Sequence, residues 1–273
     1  MRTYSVIYRR RNTLALAAAV CLIAAGASAH DFWLVPDAFA VSASGEIVVK
    51  GHTSSAFPTT LSAVTPDRVT AARVIGAADE ERITTISTHG NSLVLRHRPK
   101  TPGQKIVAVE VGWRHVKETA DSFRKYLVGE GAEDALARYD RSGQLPKSDI
   151  VRRYAKYGKT VVEVGNGARA FDRDAGHPLE FIPLADPAGA GLLRMRLMFQ
   201  GKPLDGARVH AGMASPDGKP AKDVTLMTSN GGIITVPNGA GLWNVRTIHV
   251  VPAPAGADAQ WDVHWATFVY PRK

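Results

Sequence analysis

The stretch Leu193–Phe199, which reads LRMRLMF, decides the fold class. Its first, third, fifth and seventh residues are apolar, and Arg194 and Arg196 fall between them. Successive side chains of a β-strand point to opposite faces of the sheet. The pattern therefore predicts a strand with one buried side and one solvent-facing side.

Further strands are predicted beyond this one, separated by turns. The turn Gly201–Gly206 leads to the next predicted strand. The predicted strands after this turn are Ala207–Ala211, Val224–Met227, Ile233–Val236, Leu242–Val250 and Val263–Tyr270. Short strands in this number and spacing are typical of two packed antiparallel sheets. We expect residues 159–273 to form an antiparallel β-sandwich-like unit of immunoglobulin-like or transthyretin-like type.

Residues 30–118 show a similar pattern of short β-rich runs. The sequence His89–Asn91 is typical of a tight hairpin turn. The predicted strands are Glu46–Lys50, Arg73–Ile75, Arg82–Ser87, Ser92–Arg96 and Lys105–Val111. This part of the chain is therefore predicted to form a second antiparallel β-sandwich-like unit.

Between the two units, residues 119–158 change to a helical period. The spacing of Phe123, Tyr126 and Leu127 places them on one helix face, and a second helix is predicted around Leu136 and Tyr139. A third is predicted from Ser148 as N-cap to Gly158 as C-cap, with one face formed by Ile150, Tyr154 and Tyr157. The fold class is thus mainly β, two antiparallel β-sandwich-like units with a short α-helical insert between them.

Residues 1–29 have the three parts of a Sec-type signal peptide. The basic Arg9–Arg11 precede the apolar run Thr13–Gly26, and Ala27–Ala29 carries small residues where a signal peptidase cleaves. The apolar run is shorter than the roughly 20 residues that cross a bilayer. We therefore expect a periplasmic protein that begins at His30 and keeps no membrane span.

The composition excludes several classes of protein. The chain has 273 residues, of which 45% are hydrophobic and 22% charged, as in ordinary globular proteins. Residues 1–29 contain four arginines and no acidic residue, so their removal lowers the formal net charge from +9 to +5. No basic stripe interleaved with aromatic residues is present, which argues against nucleic-acid binding. Cys21, the one cysteine, lies in the predicted signal, so no disulfide and no cysteine-based zinc site is expected.

Several motifs occur in the order found in one known family. They are HDFWL at His30–Leu34, Gly51-His52 followed by Phe57-Pro58, LEFIPLADP at Leu179–Pro187, FQGKPL at Phe199–Leu204 and WATF at Trp265–Phe268. The chain resembles a periplasmic domain-of-unknown-function family associated with nickel and cobalt uptake systems. This resemblance implies an exported accessory protein that handles a metal and works beside a metal-uptake transporter of the envelope.

The candidate metal ligands begin with the predicted new amino terminus. His30 would offer both its α-amine and its imidazole to one ion, and Asp31 would add an oxygen ligand or orient the site. Imidazole suits nickel, cobalt, copper and zinc. Nickel or cobalt is the expected ion, with copper and zinc as alternatives.

Three other histidines complete the predicted metal site. His52 follows a predicted strand at the start of a loop, His249 shares a strand face with Trp243, and His264 is flanked by two tryptophans. The remaining histidines are interpreted as surface or turn residues, namely His89, His97, His115, His177 and His210. The five tryptophans are interpreted mainly as core residues, with a sugar-binding platform as the alternative.

Three functions remain open at this point. The first is a non-enzymatic metal-binding accessory protein, and the second is a metal-free scaffold or interaction module of the envelope. The third is a copper oxidase of the two-histidine type, built on His30. Hydrolytic chemistry is not expected, because the sequence has no Gly-x-Ser-x-Gly motif, no phosphate-binding loop and no cysteine outside the predicted signal.

Overall fold

The computed structural model describes residues 30–141, 149–187, 192–215, 218–237 and 239–272. Within them the chain forms 17 strands, two α-helices and one 3₁₀ turn at Pro66–Arg68. The strands before the helices are β1 (Asp31–Pro36), β2 (Ala40–Val41), β3 (Ile47–Ser54), β4 (Val69–Ile75), β5 (Glu80–Arg82), β6 (Thr85–His89), β7 (Ser92–His97) and β8 (Gly103–Glu118). The helices are α1 (Ala120–Gly129) and α2 (Glu133–Arg141).

The strands after the helices complete the fold. They are β9 (Ile150–Val164), β10 (Leu179–Pro183), β11 (Leu193–Phe199), β12 (Lys202–Pro203), β13 (Arg208–Ala214), β14 (Pro220–Met227), β15 (Ile233–Val236), β16 (Gly241–Pro252) and β17 (Trp261–Arg272). The prediction of a mainly β protein with a short helical insert between groups of strands is confirmed.

The described strands form three sheets. A nine-stranded central sheet has the order β14-β13-β16-β17-β9-β8-β4-β5, with β2 pairing β9. One four-stranded sheet has the order β1-β3-β7-β6, and the other joins β10, β11 and β12, with β15 beside β11. Strands from before and after the helices share the central sheet. Its β9 runs parallel to both β17 and β2, so the sheets are not purely antiparallel.

Each face of the central sheet is covered by other elements. Alternate residues of β9 show this, since Ala155, Tyr157 and Val161 pack in one core with β10, β11 and β15. Val162 and Val164 pack in a second core with β1, β3 and β7. A third core joins both helices to the same face as the second, through residues that include Phe123, Tyr154 and Trp265. A sandwich-like arrangement therefore lies on both sides of one sheet.

The predicted third helix is wrong. Residues Ile150–Val164 form strand β9, which pairs with β8 on one side and with β17 on the other. Tyr154 and Tyr157, placed on one helix face by their spacing, lie on opposite faces of the sheet and in different cores. Two neighbouring strands satisfy the backbone of this segment, and this tertiary pairing outweighs the local period. The helical insert thus ends at Arg141 within the described residues rather than at Gly158, and Ser148 lies outside them.

Two local predictions, one of a strand and one of a hairpin turn, are confirmed. Strand β11 covers the Leu193–Phe199 stretch, and its alternate residues are buried up to Leu197. The turn at His89–Asn91 closes the β6–β7 hairpin, in which His89 pairs with Ser92. Sheet packing also explains Gly51, because a Cβ atom there would lie 2.7 Å from a ring carbon of Phe32 on the neighbouring strand.

Candidate functional site

A cleft of about 830 Å³ opens between the central sheet and the end of the β10–β11 hairpin. Its walls are aromatic and polar, and they include Trp113, His177, Glu180, Phe199, Asp262 and His264. Trp113 is 39% exposed, although most large aromatic residues of the chain are buried. Concave sites that combine aromatic walls with a few polar groups are typical ligand-binding sites.

His264 lies on β17 and is 4% exposed. A hydrogen bond of 3.1 Å joins its Nδ1 to the hydroxyl of Tyr157 on the adjacent strand. Burial lowers the pKa of His264 from 6.5 to about 4. The imidazole is therefore neutral at neutral pH, which is the form that binds metal ions.

His177 lies beside His264 in the same cleft. Its side chain is buried, and neither ring nitrogen has a hydrogen-bond partner among the described residues. Burial holds the pKa of His177 well below its ordinary value. The ring centroids of His177 and His264 lie 5.5 Å and 6.0 Å from that of Tyr157. A buried imidazole without partners costs free energy unless a ligand uses its nitrogens.

The prediction that His177 is a surface or turn residue is therefore wrong. It follows a glycine in a loop, and nothing in its immediate sequence indicates burial. The loop passes over the central sheet, which brings the ring against Tyr157. The packing of β10 on the central sheet places it there.

Three carboxylates at or near the cleft are paired with cations. Glu180 lies 2.7 Å from the amine of Lys159, and Asp262 lies 2.7 Å from the guanidinium of Arg153. Glu110 lies 3.4 Å from Arg73, and its Oε1 is 3.9 Å from Nε2 of His177. These ion pairs offset the charge of three carboxylates, whereas the exposed Asp174 also lines the cleft.

The structure brings two of the predicted metal ligands together. His249 on β16 is the cross-strand partner of His264 on β17, so both side chains lie on the same face. The ring of Phe199 contacts both, with centroids 4.4 Å from His249 and 5.1 Å from His264. Burial lowers the pKa of His249 as well.

The other three predicted ligands lie on the opposite side of the central sheet. The backbone oxygen of His30 accepts a hydrogen bond from Lys156, whose side chain points away from the cleft. Asp31 is buried, and its carboxylate lies 3.2 Å from the guanidinium of Arg246. Burial raises the pKa of Asp31 to about 6. His52 lies inside β3 rather than in a loop, and its Nδ1 is 3.1 Å from the oxygen of Pro58. Across the described ranges, no group of three or more His, Cys, Asp or Glu side chains is placed to hold one ion.

The burial of His264 predicts a pH-dependent stability. Its pKa is about 4 in the folded chain and near 6.5 when unfolded, so the unfolded state takes up a proton first. The stability that depends on neutral His264 is fully present above about pH 6.5 and is lost as the pH falls through about 4. We expect the melting temperature of His264→Gln to fall less than that of the wild type over this interval. The exposed His89→Gln should follow the wild type, whereas coincident profiles for His264→Gln and the wild type would contradict the prediction.

The chain belongs to the family described as Domain of unknown function (DUF4198), whose model matches residues 27–251. Thus the part of the sequence resemblance that concerned an uncharacterised domain family is confirmed. The matched region includes His177 and His249, while His264 lies beyond it.

Comparison with curated proteins gave no match. Among solved structures, the chain is similar to native alpha-2-macroglobulin from Escherichia coli, in a structure that spans domains MG0-NIE-MG1. The sequences are 11% identical, the alignment covers 84% of this chain and 94% of that chain, and the TM-score is 0.19. None of the helices in the described part of the chain has the length and apolar character needed to cross a membrane.

Proposed function

We propose that the protein is an exported accessory protein that binds a divalent transition metal, nickel or cobalt first, in the cleft beside His177 and His264. The observation that carries the proposal is a pair of buried, neutral imidazoles on one cavity, of which His177 has no hydrogen-bond partner among the described residues for either ring nitrogen. Export to the periplasm and work beside a metal-uptake transporter belong to the same proposal, and they rest on residues 1–29 and on the motifs from His30 to Phe268.

The imidazole nitrogens of the cleft fit a divalent transition metal ion that keeps some of its water or other ligands when it binds. Imidazole nitrogens are preferred by nickel, cobalt, copper and zinc, whereas magnesium and calcium prefer oxygen. Glu180 and Asp262 are paired with Lys159 and Arg153, and the exposed Asp174 is the remaining acidic residue in the described lining. A cavity of about 830 Å³ is far larger than a single ion. The metal would therefore arrive with water or a small organic chelator completing its coordination.

The geometry favours this site over the amino-terminal chelate. His30 lies among cationic side chains, including Arg68, Arg152 and Lys156, which would repel a divalent cation. A copper oxidase built on His30 would need the same position, so it meets the same repulsion.

The test is thermal unfolding of the protein with its native amino terminus, with and without nickel or cobalt. A ligand that binds only the folded state at about 100 times its Kd stabilises by about 2.7 kcal/mol. For a chain of this size that corresponds to a rise of roughly 5–10 °C in melting temperature. Magnesium should produce no rise.

Variants locate the site. His177→Gln and His264→Gln should each remove most of the shift, whereas the exposed His89→Gln should keep it. One residue added before His30 should also leave the shift unchanged. A shift lost on that addition but kept in both cleft variants would overturn the cleft site in favour of an amino-terminal one. The absence of any shift with nickel, cobalt, copper or zinc would favour a metal-free scaffold instead.

A further inference from the structure

A second cavity, of about 390 Å³, lies on the other face of the central sheet. Strands β8 and β9 supply side chains to both cavities because neighbouring residues point to opposite faces. Trp113 lines the cleft and the next residue, Arg114, lines the second cavity. In the same way Arg153 pairs with Asp262 at the cleft, and Arg152 faces the second cavity.

The second cavity is strongly cationic. Four basic side chains line it, namely Arg68, Arg114, Arg152 and Lys156. Two histidines, His30 and His115, also reach it, and none of the described residues in its lining is acidic. Like charges gathered in one cavity repel each other, and an anion would relieve this repulsion.

Arg152 provides the strongest indication of a ligand. Its side chain is 1% exposed, and its Nε donates to a carboxylate oxygen of Glu118. The guanidinium carbon lies 4.0 Å from the ring centroid of Tyr126. The Nη1 atom is buried and has no hydrogen-bond partner among the described residues. A buried charged donor without an acceptor is costly, and an oxyanion would satisfy it.

Lys156 lies on the same face of β9 as Arg152 and is also held in place. It is 4% exposed, donates to the backbone oxygen of His30, and lies 5.3 Å from the ring centroid of Tyr154. Arg68 is fixed in a comparable way, since its Nη2 donates to the oxygen of Gly112 at 2.9 Å. Arg114 is exposed at the rim. Two buried cations therefore form the floor of the cavity, and Arg68 and Arg114 lie nearer its opening.

We propose that this cavity binds a small oxyanion that carries two or more negative charges. Bidentate recognition of carboxylate or phosphate is the task for which arginine geometry is best suited. The volume accommodates a phosphate group or a small polycarboxylate. This site is independent of the metal cleft, since the central sheet separates them.

The experiment is calorimetric titration of the purified protein with inorganic phosphate and, separately, with citrate. Chloride at matched ionic strength serves as the reference, because exposed charges are screened by salt. We expect binding of at least one of the two oxyanions. Loss of one charge-assisted contact should weaken it roughly tenfold, so Arg68→Gln and Arg114→Gln should each show such a loss.

Matched variants keep the outcome interpretable. The exposed Arg194 on β11 lies elsewhere, and Arg194→Gln should bind as the wild type does. Arg152→Lys keeps a positive charge beside Glu118 but removes the planar guanidinium that can bind an oxyanion through two nitrogens. This variant should also bind the oxyanion more weakly. His264→Gln should leave anion binding unchanged, which separates this site from the metal cleft. No binding of either oxyanion beyond chloride, or equal affinities for Arg114→Gln and Arg194→Gln, would overturn the proposal.

Discussion

Replacing Lys159 by methionine should destabilise the protein by about 3–5 kcal/mol, because it leaves Glu180 charged and buried without its partner. Lys159 and Glu180 are 1% and 4% exposed, and their charged atoms are 2.7 Å apart. The amine also donates to the backbone oxygen of Phe181 at 3.1 Å, so one side chain ties β9 to β10. Urea unfolding at neutral pH measures the loss.

Two further variants separate the ion pair from simple packing. Lys50→Met breaks an ion pair with Asp37 in which both side chains are more than 40% exposed, and it should cost less than about 1 kcal/mol. The double variant Lys159→Met with Glu180→Leu should recover much of the stability, since two apolar residues often replace a buried pair without loss. Equal costs for Lys159→Met and Lys50→Met would contradict this account.

Replacing Trp243 by alanine should cost about 3–5 kcal/mol, the usual range for a large aromatic residue deleted from a core. Trp243 is fully buried in the core between the central sheet and β11, and its Nε1 donates to the oxygen of Gly239 at 2.8 Å. Removal of the ring leaves a cavity and removes this hydrogen bond. Thermal and urea unfolding measure this loss of stability. The circular dichroism of the folded variant should match that of the wild type, which shows that the β-sheet structure is kept.

Trp113→Ala is the matched control for Trp243→Ala. The same atoms are removed, but Trp113 is 39% exposed at the rim of the cleft. We expect a cost of about 1 kcal/mol, from the contacts of the ring with Arg153 and His264. A loss for Trp113→Ala as large as that for Trp243→Ala would show that burial does not govern the effect.

The tryptophans show how far composition predicts burial. Trp33, Trp243, Trp261 and Trp265 are buried, as interpreted from the sequence, whereas Trp113 is exposed in the cleft. Strand β8 explains the difference, because its register shifts between Val111 and Arg114, and Trp113 lies within this irregular stretch. A local irregularity of pairing is not visible in the hydrophobic pattern.

The histidines show the same limit for the site. The sequence predicts His249 and His264 as ligands on two strands. That they pair across those strands follows from the register, which places Val245 opposite Phe268. His177 was missed, because its burial depends on a loop laid over a distant strand. Whether His30 and His52 join these histidines in one site depends on the side of the central sheet against which β1 packs. The spacing of residues along the chain carries no information about that side.

The sequence alone determined the β-rich class, the strand at Leu193–Phe199, the hairpin at His89–Asn91 and the first two helices. These follow from side-chain alternation and helical period, which are properties of neighbouring residues. The tertiary structure decided that Ile150–Val164 is a central strand and that two cavities lie on opposite faces of one sheet. Those outcomes depend on pairing between segments more than 100 residues apart, such as β9 with β17, and the free energy of such contacts appears in no local pattern.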